Sequence, residues 1–299
     1  MGLDSRHSGE VDCPKSNQRF DYRTRRSCSV TFEDIRLTRD GQVALITLAR
    51  PKALNALRAQ TVIELNRAID EVEADPDVKV VVLGADGDRA FSSGVDLVND
   101  PAPANTMEVD AIAQRNARMI ERLWYLDKVL ITSVKGVALA AGCNLALIGD
   151  LTVCGKSSSF GEPEIRHGTL SPLLLLPWLT HFKLMNHMYL TGDSVAADEA
   201  YRLGLVNKVV EDDRVDAEAL VLAHRIANAP LLTLQSVKRS VRMMLDAQGF
   251  KGTQMGHRFA DTLVLDSTGL PERDRLRTIR QEEGFKAFLE ARDTPYQTD

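Results

Sequence analysis

Apolar positions in this chain recur with two periods, and the alternation between them lays out the fold. Residues 31–37 and 43–49 alternate or run apolar on either side of Arg39-Asp-Gly-Gln42, which predicts a β-hairpin turning at Asp-Gly. Val62, Leu65, Ile69 and Val72 follow at three-and-four spacing, predicting an amphipathic helix over 58–75 that Pro76 ends. The β-branched runs 79–83 and 129–134 predict buried strands. Each leads through small residues into a predicted helix, one after Gly94 and one over 143–149 behind Ala140, Ala141 and Gly142. Between them, 101–105 reads as loop and 106–126 as a long helix.

Farther on, 172–178 reads as a core-facing helix start. A helix is expected over 198–203 with Gly204 as its stop, then a strand over 205–210 and a helix over 215–228. Pro230, in the first turn, starts a helix that runs to Asp246. From Gly256, two helical segments are split by Gly269-Leu-Pro271, and 282–292 closes the chain as a helix. Strands alternating with helices make this an α/β protein, with no internal repeat legible. Three regions are expected: a polar, flexible tail over 1–30, a core over 31–228, and a helical C-terminal region over 229–299.

Composition narrows the class. A chain of 299 residues, 44% hydrophobic and 26% charged, has ample material for a core. The net charge of −5 argues against bulk binding to nucleic acid or acidic membranes, and no apolar run approaches a membrane span. The first 30 residues lack an apolar signal core, and their acids argue against a transit peptide. Cys13, Cys28, Cys143 and Cys154 form no CxxC pair and no zinc spacing, which predicts a reduced, cytoplasmic setting and no metal site.

Chemistry concentrates in 135–172. The small residues at the start of the predicted helix leave unpaired backbone N–H groups open to a polarised oxygen. Gly84-Ala-Asp-Gly-Asp-Arg-Ala-Phe-Ser-Ser-Gly-Val-Asp-Leu97 is a second strand-to-turn segment, so two turns can supply two donors. Glu164, behind Pro163 in a predicted loop, is the candidate base. Cys143 at the helix opening is a conceivable nucleophile, although a small buried thiol is the simpler reading.

Arg50-Pro-Lys-Ala-Leu-Asn55, Ala90-Phe-Ser-Ser-Gly-Val-Asp-Leu97, 136–150, Phe160-Gly-Glu-Pro-Glu164, and Leu190-Thr-Gly192 with 200–206 occur in order. Together they resemble the successive signatures of the enoyl-CoA hydratase/isomerase (crotonase) superfamily across roughly residues 31–292. The resemblance implies the crotonase (ClpP-like) fold, a spiral of ββα units with a helical C-terminal trimerisation region. It also implies a homotrimer or dimer of trimers. The substrate would be an acyl-CoA thioester, with coenzyme A as part of the substrate and no permanently bound cofactor. By motif match, Val95 and Ala141 would supply the oxyanion donors for an enolate. Lys52, Ala53, Leu54 and Ser93 would lie along coenzyme A, with Lys286 reaching its phosphates from a neighbouring subunit. The final helix would lie against that neighbour, and the segment before 126 would help close over the acyl chain.

One departure from the family stands out. Hydratases of this family use two glutamates, and this chain has Asn144 at the first position and Glu164 at the second. Asn exchanges no proton at neutral pH, which should badly impair a two-carboxylate mechanism. One glutamate suffices to shuttle a proton between α and γ carbons, so the expected reaction is interconversion of 3-enoyl- and 2-enoyl-CoA, with Asn144 left to orient water or an acyl oxygen. The alternatives are a hydratase that tolerates Asn144, an acyl-CoA decarboxylase or retro-aldol lyase, a non-catalytic relative that binds CoA esters, and a hydrolase using Cys143. Glu162 would project like Glu164 in an extended loop but is usually polar and non-catalytic in relatives. His167 is expected to be solvated. Asp96 and Asp150 are expected to make local hydrogen bonds near helix ends.

Overall fold

Repeated pairs of strands build the molecule. The computed structural model describes residues 31–98 and 105–297. It begins with β1 (Ile35–Asp40), β2 (Val43–Leu48), α1 (Ala59–Ala74), β3 (Val80–Ala85), β4 (Ala90–Ser92) and α2 (Thr106–Trp124). Next come β5 (Val129–Val134), β6 (Val137–Leu139), α3 (Ala141–Leu147), β7 (Leu151–Gly155), β8 (Ser159–Gly161) and α4 (Phe182–Thr191). β9 (Ser194–Ala196), α5 (Ala197–Arg202), β10 (Lys208–Val210) and α6 (Val215–Ala227) follow. The C-terminal region is α7 (Leu231–Ala247), α8 (Phe250–Asp266), α9 (Pro271–Glu282) and α10 (Phe285–Asp293).

Two sheets run in the orders β1-β2-β3-β5-β7-β10 and β4-β6-β8-β9. The pairs β3/β4, β5/β6 and β7/β8 each send their first strand to the larger sheet and their second to the smaller. That is a ββα repeat carried by geometry, with no repeated letters. β3 is buried on both faces: Val81 and Leu83 enter the main core with α1 and α2, while Val80 and Val82 pack under α6.

Several expected elements shift. The first strand starts at Ile35 because the buried Glu64 carboxylate takes the N–H groups of Glu33, Asp34 and Ile35 at 2.8, 2.8 and 3.2 Å. Residues after Gly94 form a turn, not a helix, as far as Val98. The loop expected over 101–105 falls mostly outside the described residues, and the expected tail wholly so. At 172–178 there is no α-helix, only a 3-10 turn over Leu176–Trp178 that buries Leu176. The short strands of the smaller sheet and α4 were not foreseen. α3 opens at Ala141, two residues early, and α8 starts at Phe250 and runs through Gly252 and Gly256. Pro230 is the cap before α7 instead of lying in its first turn. The strand expected over 205–210 shrinks to β10, with Leu205 and Val206 buried in the core.

The helical C-terminal region docks through polar anchors. Asp150 accepts Lys238 Nζ at 2.7 Å and Arg242 Nη2 at 2.8 Å, both from α7, and the Leu130 N–H at 2.8 Å. Its role is therefore long-range as well as local. Phe250 stacks on Trp124 at 4.7 Å, and the Arg242 guanidinium lies over the Trp124 ring, 3.5 Å from its centroid.

Candidate active site

Two backbone turns meet at the edge of the smaller sheet. Leu57 and Val95 form an isolated parallel bridge: the Leu57 N–H donates to Gly94 O at 2.8 Å, and Leu57 O accepts the Asp96 N–H at 3.0 Å. In that pattern Val95's own N–H faces away from Leu57. Gly94 has φ +92°, and a Cβ there would stand 2.8 Å from Ala140 Cβ and 3.4 Å from Ala141 N. The two turns predicted to supply donors are thus in contact, and only glycine permits the approach. Ala140 holds φ 57° and ψ −131°, a costly conformation for a residue with a Cβ, and this reversal starts α3 at Ala141. Among the described residues, the N–H groups of Val95 and Ala141 make no backbone hydrogen bond outside the regular elements.

The second component follows from the same turn. The Ala140 N–H donates to Gly161 O at 2.9 Å, which lays α3's opening beside Glu162-Pro163-Glu164. The expected loop is a 3-10 helix over Pro163–His167, ended by Gly168 at φ 70°. Both oxygens of Glu164 are buried without a hydrogen-bond partner among the described residues. Burial, augmented by the charge of Asp261, pushes this carboxyl up to about 7.

Sequence reasoning undervalued Glu162. Its side chain is buried, and Oε1 accepts Asn144 Nδ2 at 2.8 Å while Oε2 has no partner among the described residues. Burial first, and then the charge of Glu164, hold it well above the ordinary carboxylate range. Asn144 is pinned as well: its Oδ1 accepts Ser171 Oγ at 3.0 Å and the Leu173 N–H at 3.1 Å. With both lone pairs of that oxygen used, Asn144 has little left with which to orient water.

Asp261 of α8 was missed altogether. It is buried, one oxygen lacks a partner among the described residues, and burial pushes it up to about 7 against the opposing effect of the Leu170 backbone. The inner face of α8 runs along 170–174: Gln254 exchanges hydrogen bonds with both backbone groups of Leu174, and His257 Nε2 donates to Ser171 O at 2.7 Å. A polar residue at an inward helical position next to Gln254 and His257 was the available signal.

Other expectations are corrected. His167 is not solvated; its Nε2 pairs with Thr169 Oγ1 at 2.9 Å, its edge meets Phe288, and burial followed by Arg292 and Arg273 pushes it down to about 4. It is neutral near pH 7. Cys143 is fully buried, and burial together with the charges of Glu162 and Glu164 holds its thiol far above the range of a nucleophile. Asp96 makes the expected local hydrogen bond, accepting the Val98 N–H at 3.0 Å, but it also pairs with Arg50 at 2.9 Å, and no helix starts beside it among the described residues.

The predicted coenzyme A segment is a 3-10 turn over Pro51–Ala53 followed by Leu54 at φ 50°. Ser93 N–H donates to Leu54 O at 3.0 Å, which ties the turn holding Lys52, Ala53 and Leu54 to the segment just before Val95. Lys52 is exposed. Lys286 is exposed on α10, whose Phe288 packs on His167 of its own chain's 3-10 helix. From the same end, Arg166 reaches Asp193 at 2.6 Å and Asp293 at 3.5 Å.

The arrangement offers two backbone donors for an oxyanion and, close by, buried carboxyls able to take up and release protons. The chain is 33% identical over 265 residues to a short-chain-enoyl-CoA hydratase of Clostridium acetobutylicum, covering 85% of this chain and 98% of the relative. It is 31% identical over 269 residues to a crotonyl-CoA hydratase of Syntrophomonas wolfei, covering 88% and 97%. The crystal structure of an enoyl-CoA hydratase/isomerase from Xanthobacter autotrophicus Py2 superposes with a TM-score of 0.85 at 31% identity, over 90% of this chain and all of that one. With residues 38–299 matching the family model for enoyl-CoA hydratase/isomerase, the chain belongs to that family and has its crotonase fold.

Proposed function

We propose that this protein moves a proton on an acyl-CoA thioester, with Glu164 as base and the Val95 and Ala141 N–H groups receiving the enolate oxygen. The preferred reaction is interconversion of 3-enoyl- and 2-enoyl-CoA. One observation carries it: a buried, unpartnered carboxyl held near neutrality follows the segment that the Ala140 N–H ties to the start of α3, where the Val95 and Ala141 N–H groups make no backbone hydrogen bond outside the regular elements. Such a carboxyl is half ionised near pH 7, so it can both take a proton and return it. A preorganised oxyanion donor is worth about 3 kcal/mol of barrier, so the pair supplies a large share without any special side chain.

Coenzyme A lies along Lys52, Ala53, Leu54 and Ser93 in this reading, with Lys52 near its phosphates and Lys286 contributed by a neighbouring copy. The exposed apolar residues Val237, Val241 and Met244 on α7, and Met255, Phe259 and Leu263 on α8, support a homotrimer or a pair of trimers. Among the described residues no helix is long and apolar enough to cross a membrane.

The test uses a medium-chain 3-enoyl-CoA in deuterated water, with the protein and its Glu164→Gln variant. A conjugated 2-enoyl product that carries solvent deuterium and disappears with the variant is expected. Binding of the ester without turnover would instead point to a non-catalytic relative. Hydration is the second reading, favoured by the buried Glu162 beside Asn144.

A further inference from the structure

Asn144 takes from the site the carboxyl that a two-acid mechanism needs, yet the structure holds another carboxyl within hydrogen-bond reach of that same side chain. Glu162 Oε1 accepts from Asn144 Nδ2 at 2.8 Å, and the Glu164 carboxyl, two residues on, acts on Glu162 through its charge. Its Oε2 is buried without a partner among the described residues, as are both oxygens of Glu164. The groups facing it are fixed. α3 presents Cys143 and Asn144, the segment after the 3-10 helix presents Ser171, α4 presents Tyr189, and Glu164 lies two residues on. Asp261 of α8 and Arg292 of α10 act on Glu164. Of these groups around Glu162 among the described residues, none is a cation. Two adjacent buried carboxyls with no cation between them cannot both ionise, so the pair keeps one proton.

A purely structural strut does not require this. Glutamine at 162 would accept from Asn144 without the repulsion that a second acid brings. The carboxyl is useful only if its proton moves.

We propose that Glu162 is the second acid–base carboxyl of this site and that, with Glu164, it makes the chain competent to hydrate a 2-enoyl-CoA. This rests on the reading of Glu164 and the oxyanion donors given above. In the step, the Glu164 carboxylate takes a proton from water as the water oxygen bonds to the β carbon. The β-carbon π electrons pass into the enolate, held at Val95 and Ala141. As the carbonyl re-forms, the α carbon takes the proton of Glu162. On product release Glu164 gives its proton to water and Glu162 takes one back from water, which restores both groups and leaves H and OH added to the substrate.

The test compares the wild type with Glu162→Gln and Glu164→Gln on crotonyl-CoA hydration and on 3-enoyl-CoA isomerisation, using the same preparations. Wild type is expected to hydrate. Glu162→Gln should lose at least ~100-fold in hydration, and lose at least ~10-fold more in hydration than in isomerisation, while Glu164→Gln loses both. Because the readout is a ratio within one preparation, partial misfolding does not imitate it. Equal losses in both reactions, or hydration by Glu162→Gln within about threefold of wild type, would make Glu162 a strut. A wild type that isomerises but never hydrates would overturn the role of Glu162 and leave the one-base reading standing. A wild type that turns over neither substrate would remove both.

Discussion

Asn144 and Glu162, 18 residues apart, share a 2.8 Å hydrogen bond in the protein interior, with Asn144 fully buried and Glu162 2% exposed. The bond places a carboxyl next to the position where the chain itself carries an amide. As a result, both candidate proton carriers come from the tripeptide Glu162-Pro163-Glu164, and α3 contributes their support.

The held carboxyl sets a pH dependence. Glu164 acts as a base only when ionised, and burial holds it up to about 7. Hence kcat/KM for isomerisation should rise about tenfold per pH unit below 7 and level off above it. Stability should move the opposite way. A carboxyl ordinarily at 4.5 that is held near 7 in the folded state contributes fully below 4.5, and the contribution is lost as pH rises through 7. Glu164→Gln should therefore be more stable than wild type at pH 8, by up to about 3 kcal/mol, with the gap narrowing toward pH 5. Urea denaturation of both proteins at the two pH values measures it; an equal gap at both would contradict the assignment.

Gly94 holds the two donor turns together. Gly94→Ala combines a φ of +92° with a Cβ 2.8 Å from Ala140 Cβ, so the turns must separate. Loss of donor alignment should lower kcat by at least ~100-fold, with a destabilisation of about 1–3 kcal/mol. Steady-state kinetics and thermal unfolding test this together. A variant with full kcat would show that Val95 does not serve as a donor.

Asp150 anchors α7. It is the acid shared by Lys238 and Arg242, and burial already lowers the affinity of Lys238 for its proton. Asp150→Asn leaves that lysine buried without its counter-charge and should cost on the order of 3–5 kcal/mol. Chemical denaturation at pH 7 would show it, and a loss below about 1 kcal/mol would mean that Lys238 escapes to solvent.

Most long elements were legible because burial of one face writes a period into the letters. α1 carries Val62, Leu65, Ile69 and Val72 inward, and β5 is an apolar run broken only by Thr132 and Ser133. The strands of the smaller sheet were not, since Ala90–Ser92, Val137–Leu139 and Ser159–Gly161 are three residues each and too short to show a period. As far as Val98 the segment after Gly94 is a turn and not the expected helix, because Leu57 pairs with Val95 from far upstream.

By itself the sequence determined the family, the α/β alternation, and which residues could serve as donors and base, because these depend on residue type and local spacing. Only the tertiary structure decided the state of those groups. Glu162 reads as an ordinary polar residue until Asn144, Ser171 and Glu164 close around it, and Asp261 lies about a hundred residues from the turn it influences. Burial and the charge of neighbours distant in the chain fix whether a carboxyl holds its proton, and neither is written in the residues beside it.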